Sequence, residues 1–195
     1  VSQRFIANYP EAQVTINDEK KFTRKGGVDV LSALREQQIF LPSACGGRGT
    51  CAYCKCKVIE GGGPILPTET PLLTKEEIET GTRLACQVKI RSDIAIEIPS
   101  EFLAIKEFTS RCAEITDLTY DTKQFVFKLS EPAQIDYRAG QYVQLLAPVY
   151  PGSDTEVYRA YSIASDPMDK STVELIIRRV PNGTCTTYCF DFLKV

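Results

Sequence analysis

The sequence has no histidine and no long apolar run. Without imidazole, Ser-His hydrolysis, histidine-ligated zinc and Rieske ligation are excluded, which leaves thiolates as the candidate ligands of a zinc or iron–sulfur site. No stretch approaches the roughly 20 apolar residues that a membrane-spanning helix needs, and the opening VSQRFIANYP lacks the pattern of a secretory signal. The chain has 23 Lys and Arg against 25 Asp and Glu, without a basic block, which argues against nucleic acid as a partner.

Eight cysteines stand out, and they are unevenly placed. Four lie between Cys45 and Cys56, and four are spread over the remaining chain. A secreted disulfide framework would be spaced differently, and a reducing compartment fits better. We therefore expect a cytoplasmic protein. Because the chain begins with Val1 and not with Met, we expect that a tag, a leader or an N-terminal anchor was removed. An anchor would hold the protein at the cytoplasmic face of a membrane.

The length of 195 residues suits two small domains. In residues 1–101, two short strands (QVTIN and KKFTRK) precede a helix capped by Asp29, and KCKVIEG and the alternating Ile94, Ile96 and Ile98 predict further strands. Thr74 and Glu77 have the spacing of a capping box. The fold class that follows is α+β, with an N-terminal β-grasp domain.

Residues 102–108 are the predicted linker. In residues 109–195, apolar and polar residues mostly alternate with the period of two that is typical of strands. Strand-like runs such as QFVFKLS, YVQLLAP, YRAYSIA and TVELIIRRV are separated by PGSD, SDPMDKS and PNG turns. This pattern predicts an antiparallel β-barrel as the second domain.

The cysteine spacing points to an iron–sulfur cluster. Cys45, Cys51 and Cys54 form C-x5-C-x2-C in a glycine-rich loop, and Cys86 follows after 31 further residues. A [2Fe–2S] cluster needs such a close loop and a fourth thiolate delivered from elsewhere in the fold. Zinc, a [4Fe–4S] cluster with Cys56 as an extra thiol, and disulfides remain the alternatives.

The strings FLPSACGGRGTCAYCKCKVIEGGG, ILPTE and RLACQVK resemble the ferredoxin domain of the NADH-oxidising flavin subunit of sodium-translocating NADH:quinone reductases. The longer first cysteine gap separates this pattern from photosynthetic ferredoxins. The resemblance implies that Cys45, Cys51, Cys54 and Cys86 bind the metal. Cys56 and Cys112 are expected to pack as small apolar side chains, so neither is assigned a ligand role, and no role is assigned to Cys189.

A second motif, RAYS, lies on a strand-like run of the predicted barrel. Arg159 can offer a cation to a pyrophosphate, Tyr161 a flat face and Ser162 a polar group, although Arg and Tyr on one strand face can also be a simple packed pair. GTCTT then opens a predicted helix. In the family, the corresponding strings bind FAD, so the resemblance implies cofactor contacts at eight residues: Arg159, Tyr161, Ser162, Ile177, Arg178, Gly183, Cys185 and Thr186.

In the family a nicotinamide-binding domain follows the barrel, and no G-x-G-x-x-G pattern with a βαβ unit occurs here. We expect this chain to lack that domain and the end of the barrel, and therefore not to react with NADH alone. The predicted function is electron transfer from NADH through FAD and a [2Fe–2S] cluster to an acceptor protein or a quinone-reducing membrane complex. A reductase component of an oxygenase is the first alternative, and a non-enzymatic four-cysteine zinc module is the second.

Overall fold

A computed structural model describes residues 9–195 of the chain. The chain divides into two units, the first ending at Ile105 and the second beginning at Lys106. Within the described residues, no helix is long and apolar enough to cross a membrane.

The first unit is built on one mixed five-stranded sheet with the strand order β2-β1-β5-β3-β4. β1 pairs in parallel with β5 and antiparallel with β2, and β3 pairs antiparallel with both β4 and β5. The elements are β1 (Glu11–Ile16), β2 (Lys20–Lys25), α1 (Val30–Glu36), β3 (Lys55–Glu60), α2 (Lys75–Glu79), β4 (Thr82–Leu84) and β5 (Ile94–Glu97), with 3₁₀ turns at Thr70–Leu72 and Ser100–Ala104.

The local sequence explains these elements. Every second residue of β1 is buried, as its alternating pattern predicts. The Asp29 side chain caps α1 by accepting a hydrogen bond from the Ser32 amide at 2.9 Å, and α1 buries its apolar face in the core. Thr74 and Glu77 form the predicted capping box of α2 in both directions. The predicted α+β class is confirmed for this unit.

The second unit consists of antiparallel strands around one core. β10-β7-β6 form one sheet and β8-β9 form another, and a bridge between Ile163 and Leu175 connects them. Phe125, Phe127 and Leu129 share the buried face of β7, as predicted. The elements are β6 (Thr109–Asp117), β7 (Thr122–Glu131), β8 (Tyr142–Ala147), β9 (Val157–Ser162), β10 (Thr172–Arg178) and α3 (Thr184–Thr187), which continues as a π-helical turn at Tyr188–Phe192.

Candidate iron–sulfur and flavin sites

The loop from Cys45 to Cys54 is folded by residues with left-handed backbone conformations. Ala52, between the second and third cysteine, has a φ of 58°. Gly49 has a φ of 72°, and a Cβ added there would lie 2.6 Å from Nε2 of Gln87, so only glycine suits this position. The buried Ser43 hydroxyl accepts a hydrogen bond from the Gly47 amide at 3.1 Å and fixes the start of the loop.

Cys86 reaches this loop from a turn that follows β4. The Ala85 amide donates to the Cys54 carbonyl at 2.8 Å, which joins the turn to the cysteine loop. On its other side, the Ala85 carbonyl accepts from the Leu31 amide at 3.1 Å, within α1. The fourth cysteine is therefore held between the loop and the helix, although 31 residues separate it from Cys54 in the sequence.

The four thiols predicted to bind metal lie in two adjacent pairs. The Cys51 thiol hydrogen-bonds to Cys45, and the Cys54 thiol hydrogen-bonds to Cys86. The two pairs lie close enough for like-charge repulsion between Cys54 and Cys51 and between Cys86 and Cys45. Among residues 9–195, no three His, Cys, Asp or Glu side chains gather closely enough to hold a single metal ion. Two neighbouring pairs of sulfurs suit two irons that each take two thiolates.

Hydrogen bonds favour the thiolate form of one cysteine in each pair, Cys45 and Cys86, whereas the hydrogen bond that Cys54 gives to Cys86, together with burial, raises the pKa of Cys54. Burial raises the pKa of Cys45, but hydrogen bonds from Thr50 and Cys51 outweigh it and lower this pKa to about 6. The hydrogen bond from Cys54 lowers the pKa of Cys86 to about 7, with further help from Gln87 and the Gly49 amide. Donors aimed at sulfur are what a negatively charged cluster requires, so these residues fit a [2Fe–2S] group.

Cys56 differs from these four thiols. It is 3% exposed and packs in the core of the first unit, and burial raises its pKa to about 12. Cys112 is likewise buried, in the core of the second unit. Both positions agree with the small apolar role expected for these side chains.

A buried ion pair holds the segment before Cys86. The Arg83 side chain contacts the Glu69 carboxylate through Nε at 3.0 Å and Nη2 at 2.6 Å, and the side chains are 8% and 0% exposed. Glu69 also accepts from the amides of Leu66 and Leu84, at 3.0 and 2.9 Å. Arg83 donates its remaining hydrogens to backbone carbonyls, those of Gly62, Gly63 and Pro64. The network ties residues 62–69 to β4.

Sequence reasoning missed this pair and the contact between Gln87 and Cys86. The available signal was the charge of two residues. Glu69 ends the segment ILPTE, Arg83 directly precedes LAC, and the residues around each of them are otherwise mostly apolar. Opposite charges in two largely apolar segments indicate an ion pair, because an unpaired charge is rarely buried.

In the second unit, the RAYS strand and the start of α3 come together. Tyr161 hydrogen-bonds to the Cys185 thiol, and the Arg159 guanidinium lies near enough to that thiol to lower its pKa. The larger influence on Cys185 is a hydrogen bond from Cys189, and the pKa of Cys185 is about 7. Arg159 donates to the Tyr158 carbonyl at 2.8 Å. Of the ion pairs within residues 9–195, none engages Arg159, so this half-buried cation fits a phosphate group.

The other residues predicted to contact FAD differ in burial and in hydrogen bonding. Ser162 is exposed at the end of β9, and Gly183 caps α3. Ile177 is 1% exposed and lies in the core, whereas Arg178 is exposed and paired with Asp121 at 2.7 Å. The buried Thr186 hydroxyl is bonded to the backbone of Val180 and Gly183, at 3.2 and 3.1 Å. The structure therefore brings Arg159, Tyr161 and Cys185 together and gives the Thr186 hydroxyl a structural role.

Two domain families match the chain, one in each unit. Residues 14–91 match the 2Fe-2S iron-sulfur cluster binding domain, and residues 110–195 match the oxidoreductase FAD-binding domain. The predicted fold, a ferredoxin domain followed by a flavin barrel, is thereby confirmed. The domain matches also agree with the predicted cofactors, a [2Fe–2S] cluster and FAD.

Longer relatives share both domains. The chain is 35% identical to the F subunit of the Na(+)-translocating NADH-quinone reductase of Marinomonas sp., over 93% of this chain and 53% of that protein. The Neisseria gonorrhoeae protein of the same name is 36% identical, over 87% and 50%. The chain spans about half the length of these relatives. Among solved structures, cytochrome P-450 reductase GcoB of Amycolatopsis is 29% identical with a TM-score of 0.58, over 94% of this chain and 54% of that one.

Proposed function

Because 93% of the chain is homologous to the F subunit of an Na(+)-translocating NADH-quinone reductase, we propose that it is part of an oxidoreductase that moves electrons from NADH, through FAD and a [2Fe–2S] cluster, to a quinone-reducing acceptor. The observation that carries this proposal is the pairing of four thiols in the first unit. We assign residues 1–101 to the cluster domain, 102–108 to a linker and 109–195 to the flavin domain.

Each unit has residues suited to its cofactor. When bound, the cluster exchanges single electrons, and FAD exchanges electrons with both one-electron and two-electron partners. Cys45 and Cys51 would hold one iron, and Cys54 and Cys86 the other. The loop supplies backbone donors to the sulfurs and needs no proton-transferring side chain. Its burial of Cys54 and Cys86 limits the access of water to one side of the site.

In the second unit, Arg159 would bind the pyrophosphate of FAD, and Tyr161 would support the isoalloxazine ring. This assignment is supported by a half-buried guanidinium that lies beside an aromatic side chain on the same strand. We propose further contacts from Ser162, Gly183, Cys185 and Thr186, those of Gly183 and Thr186 through the backbone. Since Ile177 is buried in the core and Arg178 is exposed, we assign backbone contact to the first and side-chain contact to the second.

The relatives' names support our proposals for the electron donor and the acceptor. NADH would be the electron donor, and the acceptor would be another component of a sodium-translocating, quinone-reducing complex. The protein would then work at the cytoplasmic face of a membrane. A multi-subunit assembly agrees with a chain whose relatives are named as subunits.

Cofactor analysis tests the proposal directly. We expect two irons, two sulfides and one FAD per chain, and a signal in the electron paramagnetic resonance spectrum after reduction with dithionite. NADH alone should not reduce this chain. Zinc in place of iron, or the absence of flavin, would reject the proposal.

A reductase component of an oxygenase is the second candidate, favoured by the likeness to the cytochrome P-450 reductase. The two candidates differ in their acceptor. In a full-length protein with its nicotinamide-binding part, NADH-dependent reduction of purified acceptors separates them. Reduction of oxygenase components, without reduction of quinone-reducing partners, would decide for the second candidate.

A further inference from the structure

The side chain of Gln87 lies directly against the sulfur of Cys86. Its Nε2 is 3.6 Å from Cys86 Sγ and 3.4 Å from the Cys86 carbonyl oxygen. Both atoms are hydrogen-bond acceptors, and the amide nitrogen carries two hydrogens, so one side chain can serve both. Gln87 itself is only partly exposed.

A second residue fixes which end of this amide faces the sulfur. The Thr68 hydroxyl donates a hydrogen bond to Gln87 Oε1 at 3.0 Å, across 19 residues of sequence. With its oxygen engaged by Thr68, Gln87 keeps its nitrogen turned towards Cys86. The opposite orientation would place the amide oxygen against a thiolate, where two partial negative charges repel.

The cysteine loop leaves space for the Gln87 amide, because Gly49 has no side chain. An added Cβ at Gly49 would come within 2.6 Å of Gln87 Nε2 and 2.8 Å of its Cδ. The Gly49 amide also donates to the Cys86 sulfur. Loop and side chain therefore supply two separate donors to the same sulfur.

We propose that Gln87, oriented by Thr68, is a positioning residue that raises the reduction potential of the cluster bound at Cys86. The inference rests on the cluster binding of the proposed function. One-electron reduction adds a negative charge that spreads over the sulfurs. An N–H dipole that points at a sulfur stabilises the reduced form more than the oxidised form, so hydrogen bonds to sulfur raise the potential.

Removing this donor should shift the potential measurably. Gln87→Leu keeps a side chain of similar size but has no N–H. We expect the equilibrium constant for one-electron reduction to fall about tenfold, which is a lowering of about 59 mV for a one-electron couple. Gln87→Glu accepts from Thr68 but offers no hydrogen to the sulfur, and its potential should fall at least as far.

The Thr68 variants test the orientation. Thr68→Val removes the hydroxyl, so the Gln87 amide can turn, and the potential should fall by less than in Gln87→Leu. Thr68→Ser retains the hydroxyl and should restore the wild-type potential. Gln134→Leu, at an exposed position in the second unit, is the matched control and should leave the potential unchanged.

The measurement is a redox titration followed by electron paramagnetic resonance, with iron and sulfide determined for each variant. Resonance Raman spectra in D₂O supply an independent signature, because the solvent-isotope shift of the Fe–S bands should shrink in Gln87→Leu. If Gln87→Leu loses its cluster, Gln87→Glu and Thr68→Val decide the matter.

The outcomes separate the two proposals. Iron-free wild-type protein would reject the proposed function and this inference with it. A fully loaded wild type, together with Gln87 variants of unchanged potential, would overturn this inference alone. Variants that bind less cluster but keep the wild-type potential would show that Gln87 has only a structural role. This result would also overturn the inference.

Discussion

Replacing Glu69 by Gln should destabilise the first unit more than any other single Glu→Gln change at one of its ion pairs. The Glu69 carboxylate accepts three hydrogen bonds from two nitrogens of Arg83 and two from backbone amides while fully buried. Gln has one acceptor oxygen and an amide group that cannot accept. At least one buried donor and the Arg83 charge are then left without their partner.

The expected magnitude follows from the burial of the pair. Removing one partner of a buried ion pair costs about 3–5 kcal/mol, because the other charge stays buried. Glu97 offers a matched control, since its carboxylate pairs with Lys57 at 3.2 Å but both side chains are about half exposed. Glu97→Gln should cost less than about 1 kcal/mol, as is typical of exposed pairs.

Native-state hydrogen exchange followed by mass spectrometry can measure the difference in the whole chain. In Glu69→Gln, peptides that cover β3 and β4 should exchange between about a hundredfold and several-thousandfold faster, the factor that 3–5 kcal/mol represents. In Glu97→Gln they should exchange within about fivefold of the wild-type rate. Equal rates in the two variants would refute the assignment of the Glu69–Arg83 pair as a stabilising contact.

The same pair predicts a dependence on pH. Burial raises the pKa of Glu69, but the hydrogen bonds from Arg83 and the two amides outweigh burial, and the folded-state pKa is lowered. A lowered pKa contributes stability that is present above the unfolded value of about 4.3 and is lost as the pH falls through the folded value. The stability gap between wild type and Glu69→Gln should therefore be constant near pH 7 and shrink below about pH 4.

Three further predictions concern ligands, capping and flavin. Cys86→Ala should reduce iron content to background, whereas Cys56→Ala should retain it, and equal iron in both variants would contradict the ligand assignment. Thr74→Ala should lower the free energy of unfolding by about 1 kcal/mol in urea titrations, through loss of the α2 cap; no change would mean that the cap is dispensable. Arg159→Met should raise the Kd for FAD about 10- to 100-fold in fluorescence titrations, as loss of a charged hydrogen bond implies, while Arg138→Met should leave it unchanged.

Much of the fold was predictable because its signals are local. Alternating burial in β1 and β7, the Asp29 cap and the capping box of α2 depend on residues within a few positions of each other. The order of the two domains followed from motifs that are contiguous in sequence, and both family matches agree with it.

For the predicted flavin site, local sequence patterns were not sufficient. The strand pattern placed Arg159 and Tyr161 on one face, but the pairing of Arg178 with Asp121 spans 57 residues. The hydroxyl of Thr186 was a natural candidate for a phosphate contact, yet the turn at Val180 engages it. Only the folded backbone decides which polar groups are already bonded within the protein.

For the iron–sulfur site, residue types and their spacing alone pointed to thiolate ligands: no histidine, four cysteines at a specific spacing, and glycines between them. Folding set which thiols pair and how the Glu69–Arg83 ion pair joins residues 62–69 to β4. It also placed the Gln87 amide, bonded to Thr68, against the sulfur of Cys86. The reason is physical: residue types limit which bonds are possible, but contacts between segments distant in sequence form only when the sheet and its loops bring them together.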